Sequence, residues 1–225
     1  FDNADIRSES RNDDARTTFK QVNFYVDHEF NDDLKLEVRA GSAESVYDKP
    51  TETTIIMDKL NVDGYSWDYR DNPKLPTLNY GIDPLDPNGW TFAEVRLRPQ
   101  FVSNTFENVQ ADLKWHLTDR FALKGGVQAK DFTYDTREWR RTSEVSVPTF
   151  ANGTRIVPAD MTTIATIPGI NAPGSQSYVI PDLDAFAQMF DIYCNCGTFA
   201  TPLRAVNTRS VEEEDRGGYL MGEFS

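Results

Sequence analysis

Three groups of side chains in this 225-residue chain have types and spacings suited to chemistry. Tyr65, Trp67, Tyr69, Tyr80 and Trp90 are interleaved with Asp68, Arg70, Asp71 and Asn72. Aromatic faces stack on sugar rings while carboxylates, amides and guanidinium groups hydrogen-bond hydroxyls, so this mixture suits an oligosaccharide. The same aromatics suit equally well a small core within the stretch that carries them. Arg137, Arg140 and Arg141 surround Trp139. They could hold an anionic ligand or a lipopolysaccharide phosphate by bidentate pairing, or form ion pairs with acids on neighbouring strands. Cys194 and Cys196 are the only cysteines, and in an exported chain they form a disulfide candidate. A C-x-C without a nearby histidine is a poor metal set.

Several functions are disfavoured at once. No spacing pairs a general acid with a general base, and there is no G-x-S-x-G, phosphate loop or metal constellation. The reading is therefore of a protein that is not an enzyme and has neither cofactor nor metal. A formal charge of −13 argues against nucleic acid as a partner, because phosphate binding needs a basic surface. At 39% hydrophobic and 12% aromatic the chain is expected to fold, although a mean hydropathy of −0.56 is polar. No run of eighteen apolar residues exists, which excludes a transmembrane helix.

The elements that must position these groups are ribbons. Val22, Phe24, Val26 and Phe30 alternate with polar residues, Asn31-Asp32-Asp33 turns, and Leu34, Leu36, Val38 and Ala40 follow at the same period. Val109, Ala111, Leu113, Trp115 and Leu117 repeat the scheme. Thr118-Asp119-Arg120 then turns into Phe121, Leu123, Gly125, Val127 and Ala129. A period of two places each set on one side of a pleated strand. The other sides, such as Lys35/Glu37/Arg39 and Gln110/Asp112/Lys114, are too charged for a dry core. Each ribbon therefore separates an oily environment from a wet one, with Val22, Phe24, Val26, Leu36, Val38, Val109, Ala111, Leu113 and Val127 expected to face lipid.

Strands are expected at about residues 17–30, 34–46, 103–117, 121–140 and 210–225. Long connections of about 47–102 and 141–209 separate them, and residues 1–16 read as the end of a preceding loop. A change of apolar parity between Ala129 and Phe132 predicts a bulge. Thr53–Leu60 and Trp90–Leu97 partly alternate and are expected to pair. Pro181–Tyr193 sets Leu183, Phe186, Met189, Phe190 and Tyr193 at helical spacing, a short amphipathic helix suited to packing on its own loop, and also to covering a binding cavity or contacting a neighbour. Short turns at one end and long loops at the other describe an outer-membrane β-barrel. Each strand supplies the roughly 9 to 11 residues that a tilted span needs. Five strands leave two edges that lipid does not tolerate, so the sequence reads as part of something longer, a single barrel domain without its plug.

The segment from Phe19 to Val46 resembles the middle of the barrel in TonB-dependent outer-membrane receptors of Caulobacter and Xanthomonas type. So do Ile55–Lys59, Asp63–Arg70, Asn79-Tyr80-Gly81, Asn88-Gly89-Trp90, the Thr118-Asp119-Arg120 hairpin and the closing Glu213–Phe224. The resemblance implies an all-β fold, a segment of a large antiparallel transmembrane barrel of about 22 strands. It implies capture of an external oligosaccharide or iron chelate, with uptake energised by the periplasmic protein TonB through an N-terminal part missing from this sequence. Outer-membrane lipid and lipopolysaccharide would be its surroundings. A secreted carbohydrate-binding or adhesive β-module, or a passive porin-like channel, remains open as an alternative.

Overall fold

The computed structural model describes residues 1–168 and 176–224. Part of the second long connection, 169–175, and the last residue of the final expected strand lie outside the described residues. Strands dominate. In chain order they are β1 (Ala4–Asn31), β2 (Leu34–Val62), β3 (Ser66–Asp68), β4 (Thr77–Asn79), β5 (Thr91–Leu97), β6 (Gln100–Thr118), β7 (Phe121–Glu138), β8 (Thr162–Thr166) and β9 (Ser177–Pro181). A short helix, α1 (Leu183–Phe190), precedes β10 (Arg209–Phe224). The long strands are ordered β1-β2-β6-β7-β10, β5 adds to β2, and β3-β4 and β8-β9 form separate two-stranded pairs. The pairings with a described register are antiparallel. No described helix is long and apolar enough to cross a membrane, a statement that does not bear on strands.

Contacts divide the chain into two compact units, and β1 and β2 contribute residues to both. The first comprises Phe1–Asp14, Thr51–Pro99 and Trp139–Pro202, the second Ala15–Pro50, Gln100–Glu138 and Leu203–Ser225.

The first unit has a conventional dry core. Ile55 and Met57 of β2, Phe92, Val95 and Leu97 of β5, and Phe150, Val157, Val179, Phe186 and Ile192 are all buried in one cluster. The expected pairing of Thr53–Leu60 with Trp90–Leu97 is present, running from Thr53 opposite Leu97 to Asp58 opposite Thr91. Its one irregularity, between Ile56 and Met57, leaves Ala93 of β5 as the extra residue, so that Phe92 and Val95, three apart, both join the core cluster. α1 begins at Asp182, whose side chain accepts from the Ala185 amide at 3.0 Å, a normal N-cap. Phe186 and Phe190 pack against Phe92, with ring centroids 4.9 and 5.7 Å away, so the helix does pack on its own surroundings. Met189 and Tyr193 are exposed and take no part in that packing.

Three expectations need correction. β1 begins at Ala4, so residues 4–16 are strand where a loop was expected. Their polarity hid this, yet cross-strand groups hold them: Arg7 bonds Asp58 at 3.0 Å, and buried Ser8 donates to the Val179 carbonyl at 2.6 Å. β2 likewise runs on to Val62, and the connections expected as loops carry β3, β4, β5, β8, β9 and α1. No bulge lies between Ala129 and Phe132, because the register with β6 and with β10 is continuous there. Phe132 belongs to the opposite face and pairs with Phe106, so the parity change records a change of surroundings along one regular strand.

Candidate functional site

The second unit carries the feature that the alternating sequence announces. Register across β2, β6, β7 and β10 aligns Leu36, Leu113, Gly125 and Leu220 in one row and Val38, Ala111, Val127 and Gly218 in the next. Val22 and Phe24 of β1 line a shallow hollow with Ala40 and Val109, so they share this face. Among the described residues no second layer covers these apolar side chains. Val22 is 71% exposed, Phe24 59%, Leu113 42% and Val127 65%, while Val26, Leu36, Val38 and Ala111 are half-buried among their neighbours.

The apolar face has a defined end. On β10 the apolar side already ends at Arg216, opposite Ala129, and beyond Ala40, Val109 and Ala129 the next row is Ser42, Glu107, Asp131 and Glu214. Lys20 pairs there with Glu44 at 3.3 Å and Arg216 with Asp131 at 2.7 Å. From Val109 to Leu117 the band runs roughly 26 Å along the strand, which at a tilt of about 40° is about 20 Å of height, close to a barrel's apolar belt of about 25 Å.

The reverse face is a hydrogen-bonded polar surface. Glu37, Asp112, Gly126 and Tyr219 form one row across it. The Tyr219 hydroxyl donates to Asp112 Oδ1 at 2.6 Å, and Gln110 donates to Asp112 Oδ2 at 2.7 Å. Lys114 donates to Glu223 at 2.7 Å, and Lys35 pairs with Glu37 at 3.1 Å. Gly126 makes this possible: a Cβ there would lie 2.3 Å from Asp112 Oδ1 and 2.6 Å from the Tyr219 ring. Sequence reasoning passed over Asp112 and Tyr219. The signal that could have found them is Gly125-Gly126 inside a strand, since an interior glycine marks close approach of another group.

The proposed ligand-contact residues divide sharply. Arg141 is only 1% exposed. Its guanidinium donates to the carbonyls of Val95 (2.7 Å), Ser146 (2.7 Å) and Thr198 (2.8 Å) and lies 4.8 Å from the Phe199 ring centre. Burial lowers its pKa from the ordinary arginine value. Arg141 is therefore enclosed and engaged by backbone carbonyls, out of reach of an external anion, which corrects its expected role. Beside it, Arg98 and Arg140 each grip Glu144 through two hydrogen bonds. Burial raises the Glu144 carboxyl, but these four bonds outweigh it and bring the pKa to about 2.

Trp90 is also internal: 2% exposed, with its indole N–H donating to the Asp86 carbonyl at 2.9 Å. Packing of the loop's own core accounts for it. Tyr65 packs beside Trp67 and Tyr80, with ring centres 5.7 and 6.3 Å away, whereas Trp67 and Tyr69 are about half exposed. Arg70 is held by Asp68, whose carboxyl falls to about 2 under the hydrogen bonds of Arg70. Of the basic group, Arg137 is exposed in β7 of the second unit and Trp139 is half-buried in the first. Cys194 and Cys196 are disulfide-bonded. No group of three or more metal-ligating side chains occurs among the described residues. Comparison with protein-family models, with curated proteins and with solved structures finds no match for this chain.

Proposed function

We propose that the second unit is part of the wall of a transmembrane antiparallel β-barrel in a Gram-negative outer membrane, and that the chain belongs to a TonB-dependent receptor that captures an extracellular nutrient. One observation carries the wall reading: a single sheet presents an apolar band on one side, a charged network on the other, and has no second layer over either. In water such a sheet would leave a large contiguous apolar patch exposed, which soluble monomers rarely do. Hydrocarbon removes that cost, and a hydrated lumen solvates the reverse face. The belt of Lys20, Glu44, Asp131 and Arg216 then stands where lipid headgroups and lipopolysaccharide begin. β1 and β10 are the edges of the sheet, and further strands would have to pair with them to close a barrel of about 22 strands.

Nutrient capture and coupling to TonB rest on the resemblance in sequence, with an oligosaccharide or an iron chelate as ligand. Half-exposed Trp67 and Tyr69 and exposed Arg70 support first contact by the first long connection, and exposed Arg137 adds support from the end of β7. In isolated cell envelopes the protein is expected to resist extraction by high salt and alkaline carbonate and to dissolve only in detergent. Recovery in the aqueous wash would contradict the wall assignment.

A further inference from the structure

The first unit contains a hollow of about 350 Å³ that is separate from the exposed aromatics. Ile6, Ile82, Pro84 and Val179 give it aliphatic walls, and Tyr80, Tyr178 and Trp90 add ring surface. Its size is at the lower end of small-molecule sites, and its composition, mostly apolar with a few polar groups, is theirs too. Fixed elements build it. Val179 of β9 donates its amide to the Pro84 carbonyl at 2.8 Å and accepts from the Ser8 hydroxyl at 2.6 Å, tying three of the lining segments together. Trp90 is held by its bond to Asp86 and by Lys59, 5.0 Å from its ring centre.

The charges at the mouth select the guest. Arg7 lines the hollow but is engaged by both oxygens of Asp58, at 3.0 and 3.3 Å, so its charge is already matched. Glu9, an exposed acid, is a further residue of the same lining. The local balance is negative, which repels an anionic ligand and offers an acceptor to a hydrogen-bond donor. Aliphatic walls with ring edges favour a flat apolar body over a bare sugar, whose hydroxyls would lose water without enough partners.

We infer that this hollow is a binding site for a neutral aromatic group bearing a hydroxyl or N–H donor, of phenol to indole size. The site lies wholly within the first unit and does not depend on the membrane reading. The test uses 5-fluoroindole as probe, followed by fluorine NMR line broadening with the intact protein in whichever medium keeps it dissolved, aqueous buffer or detergent, and with that medium alone as blank. Broadening above the blank is expected. Ile167→Trp, at the rim, should weaken it by at least about tenfold, while Ile164→Trp, an exposed position outside the lining, should leave it unchanged. Ile82→Phe, which narrows the hollow conservatively, is the second variant should Ile167→Trp fail to fold. 4-Fluorobenzoate should bind at least about tenfold more weakly than the indole, and methyl glucoside should not displace it. Signal no greater than the blank, equal binding by the rim variant and its control, tighter binding of the benzoate, or displacement by the glucoside would each overturn the assignment.

Discussion

The two units spend similar side chains in opposite ways. In the first, Ile55, Phe92 and Phe186 are fully buried, and even an arginine is enclosed. In the second, Val22, Phe24, Val127 and Leu220 remain largely exposed on a sheet whose strands are longer and more regular than those of the first unit's small pairs. A chain that can build a dry core from β2, β5 and α1 has no chemical need to leave a second apolar surface open. The difference supports the proposal that the exposed face is matched to a solvent other than water. Alternation and packing are thus separate signals: period two tells which residues share a side, and only the surroundings tell whether that side becomes core or contacts lipid.

The comparison can be broken first at Arg141. Arg141→Met leaves the Val95, Ser146 and Thr198 carbonyls without their donor in a buried place, and should cost about 3 to 5 kcal/mol. Thermal unfolding followed by proteolysis should show the loss in the first unit's segments, with β6 and β7 protected as before. In the second unit the informative change is Leu113→Arg, at the centre of the apolar band, expected to cost about 2 to 4 kcal/mol in a membrane-refolding titration. Gln110→Arg, on the reverse face, should be nearly neutral there. If both cost the same, the two faces do not differ in solvent. Gly126→Ala should follow at about 1 to 3 kcal/mol, because its Cβ must push aside both Asp112 and Tyr219. Loss of the Tyr219–Asp112 hydrogen bond, read by difference spectroscopy of the tyrosine, should accompany it.

The smallest effect concerns acid. The Glu144 pKa is depressed in the folded protein, from an ordinary 4.5 to about 2, so its clamp on Arg98 and Arg140 is fully stabilising above the ordinary value. That contribution should fade as pH falls from about 4.5 toward about 2. Glu144→Gln, which cannot ionise, should be less stable at neutral pH, and its deficit relative to the parent should shrink across that window. A deficit that stays constant down to pH 2 would show that the carboxylate charge is not what holds the clamp.

The two hairpins of the second unit, and which residues share a face within each, were legible in the sequence. Ala111 opposite Val127 follows from alternation and the short turn at Thr118–Arg120, because a register slip by one residue would exchange the faces. Leu36 opposite Leu113 joins strands separated by the long connection and had no such signal. The β2–β5 pairing was legible from partial alternation. Residues 4–16 were not, since their side chains are polar on both sides and leave no period to detect. Arg141 misled because its acceptors are backbone carbonyls, which have no signature in sequence; Arg-Arg-Thr-Ser-Glu reads the same whether exposed or enclosed. Trp90 misled similarly, as its partner is the Asp86 carbonyl. The bulge inferred near Ala129 failed because a regular strand that leaves one environment for another mimics an insertion.

The central claim concerns adjacent residues on β7 that face opposite solvents. Val127→Cys and Gln128→Cys, each carrying a nitroxide label in the membrane-embedded protein, can be compared by relaxation with oxygen, which concentrates in hydrocarbon, and with a water-soluble nickel chelate. The account predicts that the label at 127 responds chiefly to oxygen and the label at 128 chiefly to nickel. Equal response to nickel at both positions, or protection of 127 from both reagents as in a packed protein core, would contradict it.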